Sequence, residues 1–153
     1  MKLSTKGRYA VVALAYLALV EGGKLVSLAE ISRKQYISLP YLEQLFVKLR
    51  RAGLVAAVRG PGGGYRLTRA SDSIRISEIL SAVEETVSAM PSGIGAMGVV
   101  SGTKAQYLTN SLWEGLSAHL YVFLHKTRLS DVIHNEMTPC QAVPALLEIV
   151  DEI

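Results

Sequence analysis

The sequence predicts a mostly α-helical fold with one small two-stranded β wing. Two short helical segments between positions 27 and 52 are separated by about three residues, a Gly- and Pro-rich stretch follows at 59–64, and a long helical pattern returns at 104–128. Two short helices joined by such a turn form a helix-turn-helix, and a basic hairpin directly behind them forms a wing. We therefore expect a winged helix-turn-helix followed by a long dimerisation helix.

Length and charge indicate a basic module with an acidic appendage. The chain has 153 residues, and single domains usually reach about 100 to 200 residues. Residues 1–69 carry twelve Lys and Arg and three Glu, a net charge of +9, whereas residues 70–153 carry four basic and ten acidic side chains, a net charge of −6. Such a basic half is typical of a module that binds a polyanion, although an uneven solvated surface is the alternative.

Apolar content and cysteine use indicate a cytoplasmic homodimer. Half of the residues are hydrophobic and the mean hydropathy is +0.29, which favours burial of some surface against a second subunit. The single cysteine, Cys140, excludes an intramolecular disulfide and favours a reducing compartment. The longest apolar run, 9–20, is shorter than the roughly 20 residues that span a bilayer, and no signal-peptide pattern is present. We expect no membrane contact.

Caps and breakers delimit the first two helices. The first should begin near Ser4 or Thr5, either of which can accept a hydrogen bond from a free amide of the first turn, and should end at the glycine pair 22–23. Ser27 and Glu30 have the spacing of a capping box, in which each side chain accepts from the other's backbone amide. The second helix is therefore expected from Ser27 to about residue 35.

The third helix is the one that a helix-turn-helix offers to the major groove. We expect Ser38 to cap it, Pro40 to occupy its first turn, and Gly53 to follow its end in a left-handed conformation. Apolar residues recur along it at three- and four-residue spacing, which predicts one buried face. These residues are Leu39, Leu42, Leu45, Phe46 and Leu49.

A β-hairpin is expected directly after this helix. Residues 54–58 and 65–68 read as its strands, and 59–64 as a tip of Gly and Pro that begins with Arg59. Val26, just before the second helix, is expected to pair briefly as a strand residue with a partner that the sequence does not identify. A tip with so few side chains can bring its backbone close to a phosphate or into a minor groove. The alternative is an ordinary glycine-rich hairpin, although three consecutive glycines cost entropy.

Downstream of the wing, residues 73–76 suggest a short strand, and Ser77 a cap for a helix that continues to about residue 87. Ile79, Leu80 and Val83 should face inward on this helix and its glutamates 78, 84 and 85 outward. Residues 88–103 lose periodicity and gain Pro and Gly, which predicts a flexible loop.

The helix over 104–128 has an apolar stripe with little left in its own chain to cover it. We interpret it as a dimerisation helix that packs on its symmetry mate and on the first helix. Further helical turns follow at 129–135, and residues 136–153 form a C-terminal tail with one short amphipathic helix. The expected interface residues are Leu108, Leu112, Trp113, Leu116, Leu120 and Phe123.

These motifs are similar to those of the Rrf-type family of bacterial winged-helix transcriptional regulators. The stretches that carry the resemblance are KLSTKGRYA at 2–10, ISLPYLEQLFVKLRRAGLV at 37–55, VRGPGGGYRL at 58–67 and TNSLWEGLS at 109–117. The resemblance implies a homodimeric transcription factor that binds double-stranded DNA and often senses redox state, iron or nitric oxide through an iron-sulfur cluster. It divides the chain into a DNA-binding domain at 1–87, a sensor loop at 88–103, the dimerisation helix at 104–135 and the tail.

The resemblance also implies which positions contact DNA. Gln44 can pair with adenine, Glu43 can accept from the cytosine amino group, and Arg59 suits a narrow minor groove. Ser38 and Tyr41 can reach phosphates. A proline stands at position 40, where relatives carry a hydroxyl donor, which leaves the base read there open. The expected DNA-binding residues are Ser38, Pro40, Tyr41, Glu43, Gln44, Lys48, Arg59, Gly60, Pro61, Gly62, Gly63 and Gly64.

The cysteines that cluster-binding relatives use are missing. The resemblance implies three of them near the sensor loop, because thiolates are the usual iron-sulfur ligands. Residues 88–103 contain none, and Tyr107 and Asn110 stand where the last cysteine and a nearby histidine are expected. The usual cluster site is therefore absent. Cys140 and His134, contributed twice by a dimer, leave a cluster with atypical ligands open; the alternative is a lone cysteine and surface histidines.

Two functions from different classes fit these observations. The first is a dimeric repressor of iron-sulfur cluster or iron metabolism genes that binds palindromic operators. The second is a regulator without a cluster, controlled by a protein partner that docks on the acidic C-terminal half. An enzyme is not expected, because no nucleophile and base have suitable spacing and the Gly-rich stretch lacks the Lys-Ser/Thr of a phosphate-binding loop.

Overall fold

The computed structural model describes residues 3–85 and 103–137. In this part of the chain the elements are α-helices, one two-stranded antiparallel hairpin and two 3₁₀ turns, Glu21–Gly23 and Ser71–Ser73. Most of the expected sensor loop, the tail beyond Met137, and Cys140 lie outside the described residues. The elements are α1 (Thr5–Leu19), α2 (Leu28–Gln35), α3 (Leu39–Arg51), β1 (Val55–Val58), β2 (Gly64–Leu67), α4 (Ile76–Ala82), α5 (Lys104–Lys126) and α6 (Leu129–Ile133).

Helix α1 lies in the core, as its apolar sequence predicts. Its buried side chains include Ala10, Ala13 and Leu14, and it packs against α2, α4, α6 and β2. The helix starts at Thr5 with Ser4 at the cap position, as predicted, but the Ser4 side chain accepts no hydrogen bond from the first turn. The Glu85 carboxylate, brought from 81 residues away, accepts from the amide of Ser4 at 3.3 Å and from the amide of Gly7 at 3.2 Å.

The capping box of α2 is only half formed. The Ser27 hydroxyl accepts from the amide of Glu30 at 3.1 Å, as predicted. The Glu30 carboxylate turns away to accept from the Tyr16 hydroxyl at 2.8 Å. A tertiary partner on α1 therefore replaces the local one, and the hydrogen bond ties α2 to the core helix.

Helix α3 begins at Leu39 with Pro40 in its first turn, but Ser38 caps it by position alone, because its side chain makes no cap hydrogen bond. Leu39 is exposed, contrary to the predicted apolar face. It lies about 60° around the helix from Leu42, at the edge of the buried face. The core residues of α3 are Leu42, Leu45, Phe46 and Leu49.

The hairpin has the predicted antiparallel pairing, from Val55 opposite Leu67 to Val58 opposite Gly64. At the base of the hairpin, Val26 pairs with Tyr65 through two backbone hydrogen bonds. The amide of Val26 donates to the carbonyl of Tyr65 at 3.0 Å, and the amide of Tyr65 donates to the carbonyl of Val26 at 2.7 Å. The brief pairing expected at Val26 is thus present, and it fastens the wing to the segment that leads into α2.

The short strand expected at 73–76 is replaced by a single bridge between Arg75 and Arg128, flanked by the 3₁₀ turn Ser71–Ser73. Helix α4 then begins at Ile76 and ends at Ala82, earlier than predicted. Ser77 is not its cap: it is buried, and its hydroxyl lies 3.1 Å from Nδ1 of His125. The cap position belongs to Arg75, whose amide donates to the Glu78 carboxylate.

The long helix α5 has 23 residues and begins with a reciprocal cap between Thr103 and Gln106. None of its residues is buried, and it packs against α4. Among the described residues α1 packs mainly against α4 and α6, and Leu129 at the start of α6 enters the core. The packing of α5 on a symmetry mate and on α1 stays a prediction. Over the described residues, no helix combines the length and apolar character needed to cross a membrane.

Candidate nucleic-acid interface

A short, tightly held turn joins α2 and α3. Tyr36 adopts a left-handed conformation with φ 55° and ψ 40°, and Ile37 behind it is buried. The Ser32 hydroxyl donates to the carbonyl of Ile37 at 2.6 Å, and the amide of Ile37 donates to the carbonyl of Ser32 at 3.2 Å. Because both hydrogen bonds and the buried side chain act on the same residue, the angle between the two helices is fixed before any ligand binds.

Helix α3 presents one face to the core and the other to solvent. The four core residues of α3 given above are buried. On the opposite side, Pro40, Glu43 and Gln44 are exposed, as is Ser38 before the helix. The side chain of Glu43 makes no hydrogen bond or ion pair with any described residue. This polar face is free to meet a ligand.

Two predicted contact residues, Tyr41 and Lys48, lie on the flanks of this face and have partners inside the chain. The Tyr41 ring packs edge-on against Tyr9, with 5.7 Å between the ring centroids. The Lys48 ammonium lies 2.6 Å from the Glu84 carboxylate. Both residues therefore help to hold α3 in place, and the positive charge of Lys48 is partly neutralised.

The wing tip needs its glycines for its own geometry. Gly60 and Gly62 have φ of 102° and 73°, and the amide of Gly63 donates to the carbonyl of Gly60 at 2.9 Å. A Cβ atom at Gly63 would lie 2.3 Å from the carbonyl oxygen of Val58, and one at Gly64 would lie 2.7 Å from the backbone of Val26. The run of glycines thus has structural causes, which the sequence pattern alone did not reveal. Arg59 and Pro61 are exposed at the tip.

The wing and α3 are packed together at their base. The Tyr65 ring of β2 meets the Phe46 ring of α3 edge-on, with 4.8 Å between the centroids. The same Tyr65 forms the backbone bridge to Val26. One residue therefore connects the hairpin, helix α3 and the segment that leads into α2.

Basic side chains without ion pairs surround this assembly. Over residues 3–85 and 103–137 the salt bridges involve Lys48 and Arg69, while the other exposed cations of α2, α3 and the wing have no carboxylate within bridging distance. Sequence reasoning missed a basic group beside the wing: Lys24, Arg66 and Arg69 line an open groove between the end of α1 and β2. In the sequence, this group was indicated only by the net positive charge of residues 1–69. The unpaired cations are Arg33, Lys34, Arg50, Arg51, Arg59 and Arg66.

Two glutamates that follow α4 connect it to neighbouring helices, Glu84 to α3 and Glu85 to the start of α1. Glu84 has φ 58°, bonds Lys48, and accepts at its carbonyl from Lys6 at 2.8 Å. The hydrogen bond from Lys48 is the main reason that the pKa of Glu84 lies below its ordinary value. Burial raises the pKa of Glu85, but hydrogen bonds from Ser4 and Gly7 outweigh it, so that the net shift is downward. Both carboxylates are held in the ionised form.

The described residues do not fit a metal centre. Within 3–85 and 103–137, no three side chains of the metal-binding types His, Cys, Asp and Glu converge. His125 is engaged with Ser77 and stacks on Tyr121 at 5.5 Å, and His134 is exposed just after α6. Cys140, the other candidate ligand, lies outside the described part of the chain.

Comparison with known proteins connects this geometry to a family. Residues 3–135 match the Rrf2 family, described as iron-dependent transcriptional regulators. The chain is 73% identical over 154 residues to the HTH-type transcriptional regulator IscR of Cereibacter sphaeroides, covering 99% of both chains.

Solved structures of related regulators have the same fold. The structure of CymR, the global cysteine regulator of B. subtilis, matches with a TM-score of 0.74 and 32% identity over 88% of this chain and 98% of that one. The structure of IscR of T. potens matches with a TM-score of 0.71 and 34% identity over 92% and 93%. These likenesses confirm the winged-helix fold and the resemblance in the sequence motifs, and the relatives are transcriptional regulators, not enzymes. The exposed polar face of α3 and the wing agree with the match over residues 3–135, and the chain belongs to the Rrf2 family of transcriptional regulators.

Proposed function

We propose that the protein is a homodimeric repressor that binds palindromic operators through α3 and the wing of each protomer. The observation that carries this proposal is the division of α3, whose apolar face builds the core while Pro40, Glu43 and Gln44 remain exposed and make no hydrogen bond or ion pair with any described residue. In a helix-turn-helix, a helix that is anchored in the core on one side and exposes polar side chains on the other is suited to the major groove.

Each exposed side chain offers a specific contact. Gln44 has the donor and acceptor pair that matches adenine, and Glu43 can accept from the amino group of cytosine. Pro40 offers only apolar surface, which limits it to van der Waals contact, for example with a thymine methyl group. Ser38 and Tyr41 can donate hydroxyl hydrogens to phosphates, and the wing glycines leave room for its backbone to approach the duplex.

Arg59 tests the wing. The DNA is a duplex obtained by in vitro selection with the wild-type protein. Arg59→Ala should bind this duplex more weakly. It should also reduce the slope of log K against log salt by about one, because one phosphate contact releases about one counterion. Fluorescence anisotropy at several salt concentrations measures both quantities. Arg128→Ala is the matched control, since it removes the same charge from an exposed position before α6. An unchanged affinity and slope in Arg59→Ala would refute the contact.

The dimer is proposed from the apolar face of α5. Leu108, Leu112 and Leu116 are 58%, 60% and 39% exposed, at spacings that place them on one side of the helix. A stripe of this kind on a 23-residue helix is suited to packing against a second copy. A palindromic operator would then mirror the two-fold symmetry of the dimer.

Leu116→Glu tests this interface. It should convert the protein to a monomer and abolish tight binding to the palindrome, because a carboxylate would be buried against apolar surface. Ser111→Glu adds the same charge about 140° around the helix and should leave the dimer intact. Sedimentation equilibrium measures the mass, and a dimeric Leu116→Glu protein would contradict the proposed interface.

We also propose that the regulated genes serve iron or iron-sulfur metabolism, which the iron-dependent family and the IscR relatives support. With one cysteine in each chain, any cluster would draw on both protomers, with Cys140 and His134 as the candidate ligands. Anaerobic purification, followed by the visible spectrum and iron content of the wild type and Cys140→Ala, tests this. Colourless, iron-free protein in both cases would exclude the cluster and favour control by a partner on the acidic half.

A further inference from the structure

Tyr36, the residue between α2 and α3, is unexplained by the fold. Its side chain is 93% exposed and makes no hydrogen bond or ring contact with any described residue. Its backbone nonetheless adopts the left-handed conformation, with φ 55° and ψ 40°. Glycine and asparagine are the residues that tolerate this conformation at a helix end, whereas a residue with a bulky side chain is strained there.

The other non-glycine residues with positive φ in the described chain are Glu84 and Asn135. Glu84 is held by Lys48 and Lys6, and asparagine adopts this conformation readily. Tyr36 has neither reason. Stability of the free protein alone would favour glycine or asparagine at this position, which points to a role for the ring in a bound state.

The position of Tyr36 indicates what that state is. It lies three residues before α3, at the end of the recognition helix whose residues meet base edges in helix-turn-helix proteins. Arg33 and Lys34 occupy the last turn of α2 beside it, exposed and without ion pairs within the described chain. A tyrosine in a cationic neighbourhood can pack its ring on a deoxyribose and donate its hydroxyl to a phosphate.

We propose that Tyr36 is a further DNA contact, which fixes the recognition helix on the sugar-phosphate backbone at the edge of the major groove. The inference rests on the proposed function and adds a residue to its contact surface. The hydrogen bonds between Ser32 and Ile37 hold the backbone on either side of Tyr36, so the direction in which its side chain leaves the turn is fixed. The strained backbone lowers the stability of the free protein and is compensated on the duplex.

Tyr36→Asn separates the two effects, because stability and binding should move in opposite directions. The variant should melt roughly 2 to 4 °C higher than the wild type, since asparagine relieves the strain. It should bind the selected duplex about tenfold more weakly, through the loss of one hydrogen bond to a charged acceptor and of the ring contact. Tyr36→Phe keeps the ring but loses the hydroxyl, so its affinity should lie between those of the wild type and Tyr36→Asn. Its melting temperature should equal that of the wild type.

Salt dependence distinguishes this contact from that of a cation. A phenol releases no counterion, so the slope of log K against log salt should remain that of the wild type in both Tyr36 variants, unlike Arg59→Ala. If the wild type binds and Tyr36→Asn binds as tightly, the Tyr36 contact is wrong and the proposed function stands. If Tyr36→Asn melts lower, the strain argument is wrong. If the wild type binds no duplex, the proposed function itself fails.

Discussion

Replacing Glu85 with alanine should destabilise the protein by removing the cap of the core helix. The carboxylate accepts from the amides of Ser4 and Gly7, at 3.3 and 3.2 Å, and from the Ser4 hydroxyl, and no side chain of α1 caps its own first turn. Loss of a helix cap costs about 1 kcal/mol, and hydrogen bonds to a half-buried charged acceptor add to this. We expect a loss of about 2 kcal/mol, or a fall of roughly 4 to 8 °C in Tm.

The pH dependence follows from the net downward shift in the pKa of Glu85, in which hydrogen bonds from Ser4 and Gly7 outweigh burial. The folded protein binds this proton less tightly than the unfolded chain, whose carboxyl has the ordinary value of 4.5. The stabilisation is therefore fully present above that value and is lost as the pH falls through the lower folded value. The difference between the wild type and Glu85→Ala should shrink over the same range.

Urea unfolding followed by circular dichroism, at pH 7 and at steps down to about pH 3, measures both effects. Glu43→Gln is the control, because it removes an exposed carboxylate that has no partner within the described chain. Glu85→Gln retains one acceptor oxygen and should lose less stability than the alanine variant. A loss below about 0.5 kcal/mol at pH 7, or a difference that grows in acid, would refute the reasoning.

Two further substitutions, one of them with a matched control, test the candidate nucleic-acid interface. Gly64→Ala places a Cβ atom 2.7 Å from the backbone of Val26, which cannot yield as a side chain could, so we expect a loss of about 1 to 3 kcal/mol and weaker DNA binding. Gly115→Ala, where nothing lies within 4 Å, should instead stabilise α5 by about 0.5 to 1 kcal/mol; equal effects in urea unfolding would disprove the crowding argument. Glu43→Ala should relax discrimination at one base pair while total affinity stays similar or rises, since a carboxylate leaves a polyanion interface. Binding to duplexes varied one position at a time measures this, and a uniform loss across all sequences would contradict it.

Elements with local signals could be predicted from the sequence. Leu42, Leu45 and Phe46 define the buried face of α3 by spacing alone, and the fold class followed from that helix and the hairpin behind it. The boundary of α2 at Ser27 was also readable, because the serine and the amide it accepts from are three residues apart.

Features that depend on distant partners could not be predicted. Ser4 fails as a cap because Glu85 arrives from the other end of the domain, and Ser77 fails because the fold buries it against His125. Gly64 is required by Val26, a residue 38 positions away, whereas the sequence offered only the composition of the tip. The DNA contacts expected of α3 and the wing stay predictions, and two of these residues, Tyr41 and Lys48, have partners within the chain.

The three-way junction at Tyr65 limits how this protein can be engineered. Its backbone pairs with Val26, and its ring packs on Phe46 of α3. If only residues 55–67 were exchanged between homologues, Tyr65 would move with the hairpin, but its two partners, Val26 and Phe46, would not. A functional chimera has to move the segment around Val26 and the inner face of α3 together with the wing, so the smallest transferable unit is the continuous stretch from 24 to 67.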